Sequence, residues 1–218
     1  MNRKFLEKVF SNERMQKFFD RHPDDEAKAI AHYQINIELS EALYPILSVF
    51  EIALRNSLNR ELTTHFGTAD WYIHIATTPG LKELNQEISN AIRHIVKRGE
   101  TITATKVVAE LTLGFWVRLL NVEYELILWK SLRRGFPYMP KSERTRHHVS
   151  APINKIRNLR NRVFHHEPIS WNLVQLEYIH GDIIKVIGWL NEDLPTFVSP
   201  IDSFQEVLNN AKEKLNRP

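Results

Sequence analysis

From Ile153 to Pro168 the chain runs Ile153-Asn154-Lys155-Ile156-Arg157-Asn158-Leu159-Arg160-Asn161-Arg162-Val163-Phe164-His165-His166-Glu167-Pro168. At about 100° per residue, with Arg157 as zero, Ile153, Ile156, Leu159, Val163 and Phe164 fall in one arc from about −160° to −20°. An arc of that width is the buried stripe of an amphipathic helix, expected over about 152–165. It ends before Pro168, because the residue preceding a proline is pushed out of helical backbone. Arg160, at about −60°, falls inside the apolar arc. A guanidinium aimed at the core side stays charged and must find an anion, since leaving it unpaired costs about 3–5 kcal/mol. Asn161 and His165, four residues apart, lie within about 40° of each other on the flank of the arc. Arg160, Asn161 and His165 can therefore converge at one edge of a bundle.

Outward from this helix the periodicity stays helical. Asp24 and Asp25 suit a start just after Pro23, giving a first core helix over about 25–43. Pro45 is best tolerated in a first turn, so a second helix is expected over about 45–64 on Leu47, Phe50, Leu54, Leu58 and Leu62, ending before Gly67. A third follows Pro79-Gly80 and stops at Gly99. Residues 103–120 read as one or two short helices with Gly114 as the interruption, 122–134 as another, 135–150 as a loop, 171–190 as the last long helix and 201–215 as a short one. The expectation is a single all-α domain over 1–218, a helical bundle with its core at about 25–190. The N-terminal segment 1–23 and the C-terminal helix 201–215 are expected to be peripheral.

Composition agrees. The chain has 218 residues, 43% hydrophobic and 25% charged, with 10 Pro, 7 Gly and no Cys. Low glycine disfavours turn-rich β folds and Gly-loop nucleotide binders. Without cysteine there is no disulfide framework, thiolate zinc site or thiol nucleophile. The N-terminus mixes charges throughout and no stretch approaches a membrane span, so a cytoplasmic protein with no membrane partner is expected. Neither His165-His166 nor His147-His148 has ligand spacing, and no phosphate-binding glycine motif occurs, so neither a metal nor a cofactor is expected.

The net charge is only +3, but it is segregated. Between Lys130 and Arg162 ten Lys or Arg face one acid, Glu143, giving +9 there and −6 elsewhere. Such a stripe is the footprint of a phosphate-backbone binder, with Arg133, Arg134, Lys141, Arg144, Arg146, Arg157 and Arg162 as candidate RNA contacts. It is equally the pattern of a basic face paired with acids of the same fold. In the basic loop, Phe136 and Tyr138 are candidates for base stacking, whereas Phe115, Trp116 and Trp129 read as core. On the second helix Glu51 borders the apolar stripe and stands four residues before Arg55, with Asn56 following. Glu51 or Arg55 can face Arg160, either as a structural salt bridge or as part of a site.

His165 sits in a last helical turn, where the helix dipole favours the imidazolium and neighbouring arginines oppose it. Histidine exchanges protons near neutrality, and RNA carries its own nucleophile beside each phosphate. A histidine with an arginine to stabilise the phosphorane-like transition state needs no metal.

Arg160-Asn161-Arg162-Val163-Phe164-His165 resembles the RNxxxH motif of HEPN ribonucleases. Phe50-Glu51-Ile52-Ala53-Leu54-Arg55-Asn56, Gly114-Phe115-Trp116-Val117-Arg118-Leu119 and His165-His166-Glu167-Pro168-Ile169 resemble signatures of the Abi-like (abortive infection) family. The resemblance covers about residues 25–190. It implies an all-helical HEPN fold, homodimers that join two motifs in one cleft, metal-independent endoribonuclease activity, and a toxin-like role in bacterial phage defence. An RNA or protein antitoxin is the regulator such an activity calls for. By position, Arg160 is then the phosphate-stabilising arginine, His165 the acid/base histidine and Asn161 the residue that orients them or contacts RNA. Glu51, Arg55, Asn56 and His166 are supporting candidates. The alternative is a non-catalytic RNA-binding or protein-interaction module of a defence or toxin-antitoxin system.

Overall fold

Prolines 45 and 152, each expected at the start of a helix, both lie inside one. In the computed structural model, which describes residues 3–216, the first two expected core helices are a single 41-residue helix. The described helices are α1 (Arg3–Phe10), α2 (Asn12–Arg21), α3 (Glu26–Phe66), α4 (Trp71–Ile75), α5 (Asn85–Lys97), α6 (Ala104–Glu110), α7 (Leu113–Arg118), α8 (Lys130–Leu132), α9 (Arg146–Phe164), α10 (Leu173–Leu190), α11 (Leu194–Val198) and α12 (Phe204–Asn216). No strand occurs among the described residues, so the fold is all-α.

Asp25 caps α3 by accepting the Lys28 amide at 2.8 Å, and Gly67, at φ 71°, takes the left-handed conformation that ends it. A proline inside a helix costs about 3 kcal/mol, through the missing N–H and a clash with the carbonyl four residues back. Here that carbonyl belongs to exposed Glu41, where water can satisfy it. Leu43, Ile46, Leu47 and Phe50, fully buried on both sides of Pro45, each contribute about 1.5–3 kcal/mol, and the helix runs on. The same logic holds in α9. Thr145 caps it by accepting the His148 amide at 3.3 Å, so the helix begins six residues before the expected 152. Pro152 leaves without a donor only the carbonyl of exposed His148.

Against α3 pack α10, α12, α2 and the short helices α7 and α8, while α9 lies between α7 and α10. The break between α6 and α7 falls at Leu111-Thr112 rather than at Gly114, because the Thr112 hydroxyl accepts the Phe115 amide and opens a new helix. The expected helix over 122–134 is a chain of short turns instead: 3-10 at Val122–Tyr124, π at Glu125–Trp129, then α8 and a further 3-10 turn. Phe136 is completely buried, which corrects its reading as a base-stacking residue; Tyr138 remains 47% exposed. The expected peripheral arm at the C-terminus buries Phe204, Leu208 and Ala211 in the main core.

The apolar interior has two parts. The large core runs from Ile35 on α3 to Ala211 on α12. A small one joins Leu6, Met15, Phe18 and Phe19 of the α1–α2 hairpin to Ala29 and Tyr33 of α3, with Trp171 against its edge. His32 is sealed beneath it, between Phe18 and Trp171, with its Nδ1 2.9 Å from His22 Nε2. Burial pushes the His32 imidazole down to about 4 and also lowers that of His22.

Candidate functional site

The last two turns of α9 carry Arg160 and Asn161, His165 is its C-cap residue, and their placement follows from how that helix ends. His165 N–H donates to Asn161 O at 2.9 Å, His166 N–H to Val163 O at 3.1 Å and Glu167 N–H to Arg162 O at 2.8 Å. This is the Schellman pattern, with the left-handed residue at His166, φ 56°, where glycine is usual. The chain therefore turns at His166, and Pro168 lies two residues beyond. His165 and His166 are left exposed at the helix tip.

Arg160 sits at the border of the core, its side chain 25% exposed. Its Nε donates to Glu51 Oε2 at 3.0 Å and its Nη2 to Glu51 Oε1 at 3.5 Å, while the guanidinium lies 4.2 Å over the Phe164 ring. Glu51, rather than Arg55, is the residue of α3 that meets the motif. Arg55 donates to Asn56 Oδ1 at 3.4 Å, and the two line a separate hollow of about 240 Å³ between α3 and α6. Guanidinium has five N–H donors, so an acid held this way fixes Arg160 and leaves donors free for an anion. The Tyr44 ring, 56% exposed, lies 5.8 Å from that of Phe164.

Two residues far away in sequence hold the segment that follows His165. Asn36, 3% exposed on α3, accepts the amides of Ile169 and Ser170 at 2.6 and 3.2 Å and donates to Glu167 O at 3.4 Å. Arg14 of α2 donates from Nη1 to His166 O at 2.6 Å. With Lys17, Glu13, Glu167 and both histidines it lines a hollow of about 230 Å³ open to solvent. Neither residue belongs to a motif, and Arg14 is 152 positions from its partner. The buried asparagine is the one sequence signal that could have flagged either, as an amide on an otherwise apolar helical stripe.

The basic segment is partly spent on the fold. Arg134 pairs with Glu61 at 3.0 Å, Arg146 with Glu125 at 2.8 Å, and Lys155 with Asp182 at 3.8 Å. Arg144 donates to Pro137 O at 2.6 Å and Met139 O at 3.2 Å, tying down the loop before α9. Arg162 donates to Pro168 O and lies 3.8 Å from Glu167. Arg157 donates to Asn158 Oδ1 at 3.3 Å. Among the described residues Arg133 and Lys141 are exposed and have no ion pair. The structure thus joins Arg160 to Glu51, leaves His165 exposed at the tip of the same helix, and brings most of the other basic residues to structural partners.

The Gly114–Leu119 segment is structural too. Phe115 and Trp116 are core, and Arg118 binds Glu87 at 3.0 Å and Glu83 at 3.1 Å, fastening α7 to α5 and the turn before it.

A family model described as Abi-like protein matches residues 3–172, a span that takes in the α1–α2 hairpin as well as the motif. No curated protein and no solved structure gives a significant match. No described helix is long and apolar enough to cross a membrane.

Proposed function

The chain belongs to the Abi-like protein family, and from that premise we propose that it is a metal-independent endoribonuclease of the HEPN type acting in abortive infection. One observation carries this reading: a guanidinium held at 3.0 Å by Glu51 and an exposed imidazole stand five residues apart at the C-terminal end of one helix. In the reaction His165 takes the proton of an RNA 2′-hydroxyl as its oxygen bonds to the adjacent phosphorus. The P–O5′ bond breaks, leaving a 2′,3′-cyclic phosphate and a 5′-hydroxyl end, which takes up a proton. The free donors of Arg160 stabilise the charge that builds on the phosphoryl oxygens, and Glu51 fixes the guanidinium so that no reorganisation is needed. Asn161 flanks the pair and orients substrate.

A homodimer supplies the second proton-transfer group, the partner copy's motif protonating the leaving oxygen. Tyr44 and Phe164, exposed apolar side chains beside the motif, suit a face covered by that copy. The toxin-like activity calls for an antitoxin, either protein or RNA.

The test is incubation of wild type, His165→Ala and Arg160→Ala with total RNA in EDTA. The wild type is expected to cut and to leave cyclic phosphate ends, and His165→Ala to lose at least about 100-fold in rate with its circular dichroism unchanged. An all-deoxy substrate should remain whole. Equal cleavage of all-deoxy substrate, or undiminished cleavage by His165→Ala, rejects the proposal. The non-catalytic reading is favoured by one feature, that Glu51 already neutralises Arg160. It expects salt-dependent RNA binding that His165→Ala leaves unchanged, with no product at any protein concentration.

A further inference from the structure

The α1–α2 hairpin walls two hollows that meet at one contact, Arg14 Nη1 donating to His166 O at 2.6 Å. Arg14 and His166 line both. On one side, a cavity of about 360 Å³ lies between Phe10 of α1 and Tyr33, Ile37 and Ser40 of α3. Its walls are mainly apolar, with the Phe10 and Tyr33 rings 5.3 Å apart. On the other side is the hollow that contains His165, with Lys17 exposed at its rim. Glu13 and Glu167 also line that hollow, but Arg162 offsets Glu167 at 3.8 Å. Arg14 and Lys17 thus match the two acids of that lining, and one of those acids is already engaged by Arg162.

An aromatic-walled cleft joined to one that offers a guanidinium and an ammonium, with an acid/base histidine in the second, matches the chemistry of a single-stranded nucleotide. Its base needs a flat apolar slot with a polar edge, and its phosphate needs a guanidinium or ammonium. We infer that the N-terminal hairpin is part of the substrate site: the Phe10–Tyr33–Ile37 hollow takes an unstacked base of single-stranded RNA. Arg14 and Lys17 hold the phosphate that links this nucleotide to the one cut at His165. The inference rests on the RNA reading above and deepens it, by assigning base preference to residues that the RNxxxH motif does not contain. Phe10, Tyr33 and Ile37 become specificity-determining residues, and Arg14 a phosphate contact that also fixes the turn at His166.

The experiment uses full-length protein and fluorescein-labelled 2′-O-methyl homopolymers of A, C and U, which lack a free 2′-hydroxyl and cannot be cut by this route. Anisotropy titrations across a salt series give affinity and slope, and cleavage of ordinary RNA is measured on the same preparations. Wild type is expected to prefer one base. Phe10→Ala, which opens the slot, and Ile37→Trp, which fills it from the opposite wall, should each weaken that preferred probe about tenfold and level the preference. Should Phe10→Ala lose its fold by circular dichroism, Ile37→Trp decides. Arg14→Ala should weaken all three probes alike and reduce the salt slope by about 0.7, and Arg14→Lys should restore it. Wild-type affinity, preference and slope in these variants overturn the inference, as does a wild type with no affinity for any probe. A wild type that binds selectively yet never cuts RNA removes the nuclease reading and keeps the subsite. Cleavage by a wild type whose slot variants bind unchanged does the reverse.

Discussion

The two apolar cores of this molecule hold the two halves of its motif differently. Arg160 rests against the large core, clamped by a carboxylate of a helix whose Leu43, Ile46, Phe50, Leu54 and Leu58 are all fully buried. His165 stands where the large core ends and the small one begins, at a helix tip held by one hydrogen bond from Arg14 and three made by Asn36 to the residues after it. Arg160 is thus fixed by global packing. His165 depends, beside Asn36, on the seating of a 19-residue hairpin (residues 3–21) that packs into the small core. Local opening free energies follow buried contact, so the histidine side is the one that opens first.

The largest effect that would sharpen this contrast is in the cores themselves. Phe50→Ala is expected to cost about 3–5 kcal/mol and to shift the denaturant midpoint of the whole protein. Phe18→Ala, at 1% exposure in the small core, should instead raise hydrogen exchange over residues 3–33 and leave that of α10 nearly unchanged. Equal global destabilisation by both would erase the distinction.

Acid comes next. The unfolded chain protonates histidine near 6.5, whereas buried His32 resists until about 4. The unfolded state therefore binds more protons between these values. Stability is full above the unfolded pKa and falls as pH drops toward the native one, by up to about 3 kcal/mol. Thermal denaturation from pH 7 to 4.5 should show the loss, with the hairpin opening first, and His32→Leu should flatten that part of the profile. A small-core variant whose pH dependence matches wild type breaks the assignment.

The smallest expected effect belongs to the clamp. Glu51→Ala leaves Arg160 partly buried without its acid, and with both side chains between 25% and 29% exposed the cost is about 1 kcal/mol. Denaturant titration would detect it, and a loss of several kcal/mol would mean that Arg160 is sealed far more deeply than its exposure indicates.

Much of this was legible in the sequence because it is local. The α5 stripe with its stop at Gly99, the α10 stripe, and the apolar arc of α9 with Arg160 inside it all follow from 3.6-residue periodicity and need no knowledge of the rest of the chain. That same arc demanded an anion for Arg160, and Glu51 was readable as one of two residues that could face it. The continuous α3 was not legible, since the cost of Pro45 is local while the burial that outweighs it comes from α10 and α12. Pro152 hid the true start of α9 for the same reason. The basic stripe looked free because a charge count carries no distances; Glu61, Glu125 and Asp182 reach it only in the fold. Arg14 and Asn36 were invisible as partners of the 166–170 turn, being more than a hundred positions away.

Two fastenings of the motif segment belong to one rod. Glu51 grips Arg160, and Asn36 grips Ile169 and Ser170. On α3 these grips are fifteen residues apart, about 22 Å along the axis, with Pro45 between them. His165 hangs from a strap buckled at both ends to the same beam, so the burial that carries α3 unbroken through Pro45 also sets the span between the two buckles.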